Sequence, residues 1–219
     1  METLRSLAPI FLLVALVTGF VAGLTLLSRL RRDAEQRWSR KLPLLTFVIA
    51  ALLAVFLTLQ LNVGGLLQLF ERDTERVLRG EPWRIVTALF FQDGQLQGGI
   101  FNIASLLFIG PVAERVLGYR RWLVIFFGGG VITEAIALAL QPQGAGNSIA
   151  NLSLAGAMLG MTAIRRGGPL GYLISGAGVL AGLLLLALGD IHGVATLGGA
   201  AAGSLLAWRE QRNKTDSTG

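Results

Sequence analysis

Seven apolar stretches, centred on residues 7–28, 43–63, 98–113, 122–140, 148–164, 169–188 and 191–208, decide what this chain of 219 residues can fold into. As helices rising about 1.5 Å per residue, they have roughly the length that crosses about 30 Å of hydrocarbon. Lipid offers the backbone no hydrogen-bond partner, so a spanning segment must satisfy its N–H and C=O groups within its own helix. With 53% hydrophobic and 15% charged residues, the chain reads as an all-α, multi-pass membrane protein. A secretory leader is the competing reading of the first stretch. Glu2 offsets Arg5 ahead of it, and the strongly basic flank follows it, so it is read as an anchor helix.

Charge gives the expected orientation. SRLRRDAEQRWSRK from Ser28, VAERVLGYRR, AIRRGG and the tail with Arg209, Arg212 and Lys214 are the basic connections, and all fall on one side of the seven helices. The opposite connections are QPQGAGN, GDIHG and the 64–97 segment, where acids slightly outnumber arginines. The positive-inside rule therefore predicts an outer N-terminus and a cytoplasmic C-terminus in a plasma (inner) membrane. It divides the chain into a first helix with its basic loop (1–41), a membrane domain (42–208) and a cytoplasmic tail (209–219), of which NKTDSTG is expected to be unstructured.

The net charge of +6 lies in short blocks without interleaved aromatics, which argues for topology rather than nucleic-acid binding. Cysteine is absent, so thiolate chemistry is excluded, and with one histidine no metal site is expected. No cofactor is implied. A small transporter is disfavoured because neither an internal repeat nor paired broken helices are visible.

In this orientation Ser148, in GAGNSIA, opens the fifth helix at the outer face, and the sole histidine, His192, opens the seventh at the same face. Two parallel helices starting at one depth can bring a hydroxyl and an imidazole together if their backbones touch. GAMLG, with Gly156 and Gly160, and GAAAG, with Gly199 and Gly203, are small-residue faces that permit such contact. On the residues alone, Ser148 is also readable as an N-cap, and the glycines as generic tight packing.

The order of motifs resembles the rhomboid intramembrane serine proteases from about Lys41 to Trp208. GEPWRIVTALFFQ (80–92) is similar to the family's outer-loop signature, FNIASLLFIGPVAERVLG (101–118) to its second core helix, GNS (146–148) to the sequence around its nucleophile, and ATLGGAAAG (195–203) to its last core helix. The resemblance implies a six-helix rhomboid-like core with one additional N-terminal transmembrane helix. It also implies that Ser148 is the nucleophile, that Asn102 with backbone groups near Asn147 binds the oxyanion, and that Gly146, Trp83, Arg84 and Glu114 are structural.

The departures are specific. Thr196 stands where the family's base normally lies, and His192 is four residues earlier, one turn away on the same helix face. For His192 to serve, the fifth helix or its loop must start about a turn further out. Ile149 replaces a glycine, Leu152 replaces an aromatic, and Gly98 replaces a histidine, with Gln97 one position off as a substitute oxyanion donor. Asp190, two residues before His192, is expected to cap a turn rather than face the imidazole. Glu134 is expected to face the bundle or to be neutral. The predicted function is hydrolysis of peptide bonds in or next to a transmembrane segment of a membrane-protein substrate within the bilayer, by a Ser148–His192 dyad. The alternative is an inactive rhomboid-like pseudoprotease that binds membrane helices without cutting them.

Overall fold

The computed structural model describes residues 6–33, 42–165 and 168–216. Residues 1–5, most of the basic connection after the first helix (34–41), Arg166, Gly167 and residues 217–219 lie outside the described residues. Seven long helices follow one another: α1 (Ala8–Asp33), α2 (Leu44–Asn62), α3 (Gln95–Leu117), α4 (Tyr119–Leu140), α5 (Ser148–Ile164), α6 (Gly168–Ala187) and α7 (Ile191–Asp216). Six are long and apolar enough to span a membrane, and α5, with 17 residues, is shorter. The chain is an all-α, multi-pass integral membrane protein with an extra N-terminal helix.

Several helices outrun the apolar stretches that predict them. α1 reaches Asp33, α3 runs from Gln95 to Leu117, and α7 continues through the expected unstructured tail to Asp216. Hydropathy marks where side chains suit lipid, whereas the i to i−4 ladder continues into charged turns. Gly118 ends α3 with φ of 75°, a left-handed conformation that glycine adopts without a Cβ penalty, and α4 starts at the next residue.

α5 is the axis of the fold. Every residue from Ile149 to Thr162 is buried, and α1, α3, α4, α6 and α7 all pack on it. A helix apolar on all sides belongs either in lipid or inside a protein core, and α5 is enclosed by its neighbours. α2 packs against α3, outside this ring. α1 is wedged against α6, α5 and α3, close enough that a Cβ on Gly19 would lie 2.6 Å from the Cβ of Ala155. Its own residues Ala15, Leu16, Ala22 and Leu26 are buried, so the extra helix belongs to the packed core.

The segment between α2 and α3 is built, not slack. It holds three short helices, Leu66–Phe70, Thr74–Leu78 and Arg84–Thr87. Buried Arg84 donates from Nε to Glu81 (2.5 Å) and from Nη1 to the carbonyls of Gln68 (2.9 Å) and Glu71 (3.0 Å), while Trp83 stands half-exposed beside it. Arg72 and Asp73 pair antiparallel with Gly144 and Gln143. Arg72 is buried in an ion pair with Glu134 of α4, and it also donates to the carbonyls of Gln141 and Gln143. Glu134 thus faces the bundle as half of an ion pair. At the other end of the bundle, Glu114 of α3 accepts from the backbone N–H groups of Leu45 and Thr46 and from the Thr46 hydroxyl, capping α2.

Candidate active site

The register of α5 against α7 is set by glycine. A Cβ on Gly156 would fall on the carbonyl oxygen of Thr196, and one on Gly160 on that of Ala200, pairs forty residues apart. Reciprocally, Gly199 meets the carbonyl of Ser153 and Gly203 that of Ala157, pairs forty-six apart. These contacts bracket the 44 residues that separate Ser148 from His192, so the parallel helices begin level with one another. The Ser148 Oγ lies 2.8 Å from the His192 Nε2. Thr196 sits one turn deeper, fully buried, with its hydroxyl donating to the His192 carbonyl at 2.8 Å.

Asp190 completes the imidazole's surroundings. Its Oδ1 accepts the backbone N–H of His192 at 3.0 Å and lies 2.6 Å from the ring Nδ1. The expectation that it would only cap a turn rested on helical i, i+2 geometry. α7 starts at Ile191, so Asp190 precedes the helix and its side chain can fold back over it. Burial pushes the Asp190 carboxyl up, but hydrogen bonding to His192 and the charge it carries when protonated outweigh this and hold the carboxyl below its ordinary value.

On the other side of Ser148, a network of amides joins three elements. Gln92, buried, donates from Nε2 to Asn147 Oδ1 (3.0 Å), and its Oε1 accepts from Asn102 Nδ2 (2.7 Å). Asn151 donates to the Asn102 carbonyl at 2.9 Å, and Asn147 Nδ2 to that carbonyl (3.4 Å) and to Asn151 Oδ1 (3.3 Å). Gln60 of α2 clamps Gln92 by accepting its N–H and donating to its C=O. Asn147 is the N-cap residue of α5, yet its side chain makes no cap bond, so the positive end of the helix is not closed by that side chain.

Gly146 keeps room at the centre. A Cβ there would lie 3.1 Å from Asn102 Nδ2 and 3.6 Å from both Gln92 Oε1 and Ser148 Oγ. The strand leading to it is held by Asp93, which exchanges hydrogen bonds with Ala145, and by the Gly146 N–H on the Ala88 carbonyl. A narrow apolar cleft beside Ser148 is walled by Leu12 and Leu16 of α1, Phe101 and Ser105 of α3, and Asn151 and Leu152 of α5.

Of the residues singled out from the sequence, Ser148, His192, Asn102, Asn147 and Gly146 come together here. Gly156, Gly160, Gly199 and Gly203 form the helix contact that aligns them. Trp83, Arg84 and Glu114 lie apart from it, in the loop and at the opposite end of the bundle. Gln97 is a correction: it stands exposed on the first turn of α3, and the amide beside Asn102 is that of Gln92. The count along α3 pointed to Gln97, whereas the group arrives from the preceding loop. In the sequence Gln92 stands out only as the last residue of GEPWRIVTALFFQ, and nothing local marks its pairing with Gln60. Among the described residues, no group of three or more His, Asp or Glu side chains could hold a metal ion.

The profile of the Rhomboid domain matches residues 79–213, which include Gln92, Asn102, Asn147, Ser148, Asp190 and His192. Two curated relatives from Bacillus subtilis are similar to about half of the chain. A putative rhomboid protease, YdcA, is 28% identical over 118 residues, covering 52% of this chain and 58% of the relative. The rhomboid protease GluP is 27% identical over 124 residues, covering 53% of this chain and 24% of the relative. The aligned part of the chain therefore spans little over half of one relative and about a quarter of the other.

Proposed function

The chain belongs to the rhomboid family, and from that premise we propose that it is an intramembrane serine endopeptidase cutting other membrane proteins in or next to a transmembrane segment. The observation that carries this reading is the 2.8 Å approach of Ser148 Oγ to His192 Nε2 at the start of α5. That is hydrogen-bond reach for a nucleophile and its base.

In the proposed reaction, Nε2 takes the Ser148 proton as Oγ attacks the scissile carbonyl carbon. The oxyanion lies near the space that Gly146 leaves open, where the Asn102 amide and the backbone N–H groups of Asn147 and Ser148 can donate to it. The positive end of α5 adds to its stabilisation. The imidazolium then gives its proton to the leaving amine. Water, deprotonated by the same nitrogen, attacks the acyl-enzyme, releases the acid and restores the Ser148 hydroxyl. The half-buried state of both side chains supports access of water from the end of the bundle. The active site opens to the outside of a plasma membrane, with the C-terminus cytoplasmic. No metal or organic cofactor takes part.

Thr196 at the usual base position favours a second reading, a pseudoprotease that holds helices without cutting them. The test is reaction of the purified full-length protein with a fluorophosphonate and with a transmembrane reporter substrate. Labelling and cleavage that vanish in Ser148→Ala and in His192→Ala support the protease; a wild type that is neither labelled nor able to cut makes it a pseudoprotease.

A further inference from the structure

The Ser–His pair does not stand alone. Asp190 Oδ1 is 2.6 Å from the ring nitrogen of His192 that faces away from Ser148, and the same oxygen accepts the His192 N–H. Both side chains are only about one-fifth exposed, so the interaction is partly shielded from water. Two other charges at this end are engaged elsewhere. Glu134 of α4 is paired with Arg72, and Asp93 accepts from the Ala145 N–H.

We propose that Asp190 is a positioning residue of the site, turning the dyad into a Ser148–His192–Asp190 relay in which the carboxylate accepts from Nδ1–H. This rests on the protease reading above. A carboxylate at that distance favours the tautomer with the proton on Nδ1, which leaves the Nε2 lone pair aimed at the Ser148 hydroxyl. When Nε2 takes the serine proton, the imidazolium forms beside a fixed negative charge. No proton passes to Asp190, so the relay returns to its starting state when the imidazolium discharges to the leaving amine. The backbone bond adds a second constraint: because one oxygen holds both the His192 N–H and the ring, the start of α7 and the imidazole are fixed as a unit.

The chain offers a clean readout, because it has one histidine. Full-length protein in lipid nanodiscs, labelled with 15N-histidine, gives a single imidazole spectrum. In mildly alkaline buffer the wild type should show Nδ1 protonated and Nε2 bare, and Asp190→Ala should shift population to the other tautomer. Asparagine caps a helix about as well as aspartate. Asp190→Asn should therefore keep the melting temperature while labelling of Ser148 by a fluorophosphonate slows by about a hundredfold or more. A residue that merely capped α7 would leave the Asn variant fully reactive. A reactive wild type with an equally reactive Asp190→Asn, or with its imidazole protonated on Nε2, overturns the role of Asp190 alone. A wild type that takes no probe overturns the protease reading and this role with it.

Discussion

Gly156 of α5 and Thr196 of α7 meet backbone to backbone, so closely that a Cβ on the glycine would fall on the threonine's carbonyl oxygen. With its three companion contacts, this one sets which residues of the two helices stand level. Stability and activity should therefore fail together when it is disturbed. Gly199→Ala is expected to lower the melting temperature and to slow probe labelling, because its Cβ has only the rigid backbone of Ser153 to meet. Its neighbour Gly198 is exposed with open space around a Cβ, so Gly198→Ala should be neutral or stabilising by up to about 1 kcal/mol. Equal effects of the two substitutions would refute the register.

The same register separates His192 from Thr196. His192→Ala should abolish cleavage, a loss of about a hundredfold to ten-thousandfold for a general base. Thr196→Ala should retain most activity, since it removes the hydroxyl's bond to the His192 carbonyl and a buried methyl but no group of the Ser148–His192 pair. Thr196→His should not rescue His192→Ala, because Thr196 is fully buried and a Cβ on Gly182 would lie 3.0 Å from its methyl group. Rescue in the double variant would show that the deeper position can reach Ser148.

Gln92 ties Asn102 to Asn147, and each amide limits the freedom of the other two. Gln92→Ala should lower kcat by about tenfold to a hundredfold with KM little changed, the signature of a group that matters in the transition state. Gln97→Ala, on the exposed first turn of α3, should leave both constants alone. The reverse pattern would restore the assignment made from the sequence.

The Arg72–Glu134 pair should behave as a buried pair does. Removing one partner, as in Glu134→Leu or Arg72→Met, is expected to cost about 3–5 kcal/mol, because the other charge is left buried without compensation. Arg72→Met/Glu134→Leu together should cost less than the sum of the single changes. Additive losses in thermal unfolding would mean that the two charges are not coupled.

Several of these features were readable from the chain and others were not, for physical reasons. The helices follow from long apolar runs, and the juxtaposition of Ser148 and His192 follows from two small-residue faces that begin near matching helix starts. Asp190 is not legible as a partner of His192 because i, i+2 helix geometry does not hold for a residue that precedes the helix start at Ile191. The partner of Glu134 lies 62 residues away in a loop, and Gln60 and Gln92 are 32 residues apart. Hydrogen bonds between a helix and a distant loop leave no periodic trace, so a sequence shows such residues as polar without saying to what they bind.

The charge pattern makes a definite prediction about topology. Seven crossings would put the two ends of the chain on opposite sides, and the connections with an excess of basic residues would all fall on the side of the C-terminus. C-terminal reporter fusions truncated after residue 212 should therefore report the cytoplasm, whereas fusions after residue 143, in the connection just before Ser148, should report the outside. A substrate would then be cut near its outer membrane boundary, because Ser148 and His192 share the end of the bundle to which residue 143 belongs. Reporters on the same side at both points would require one helix to be re-entrant. An inverted pair would place the site at the cytoplasmic face, and an impermeant fluorophosphonate added to intact cells would then leave Ser148 unlabelled.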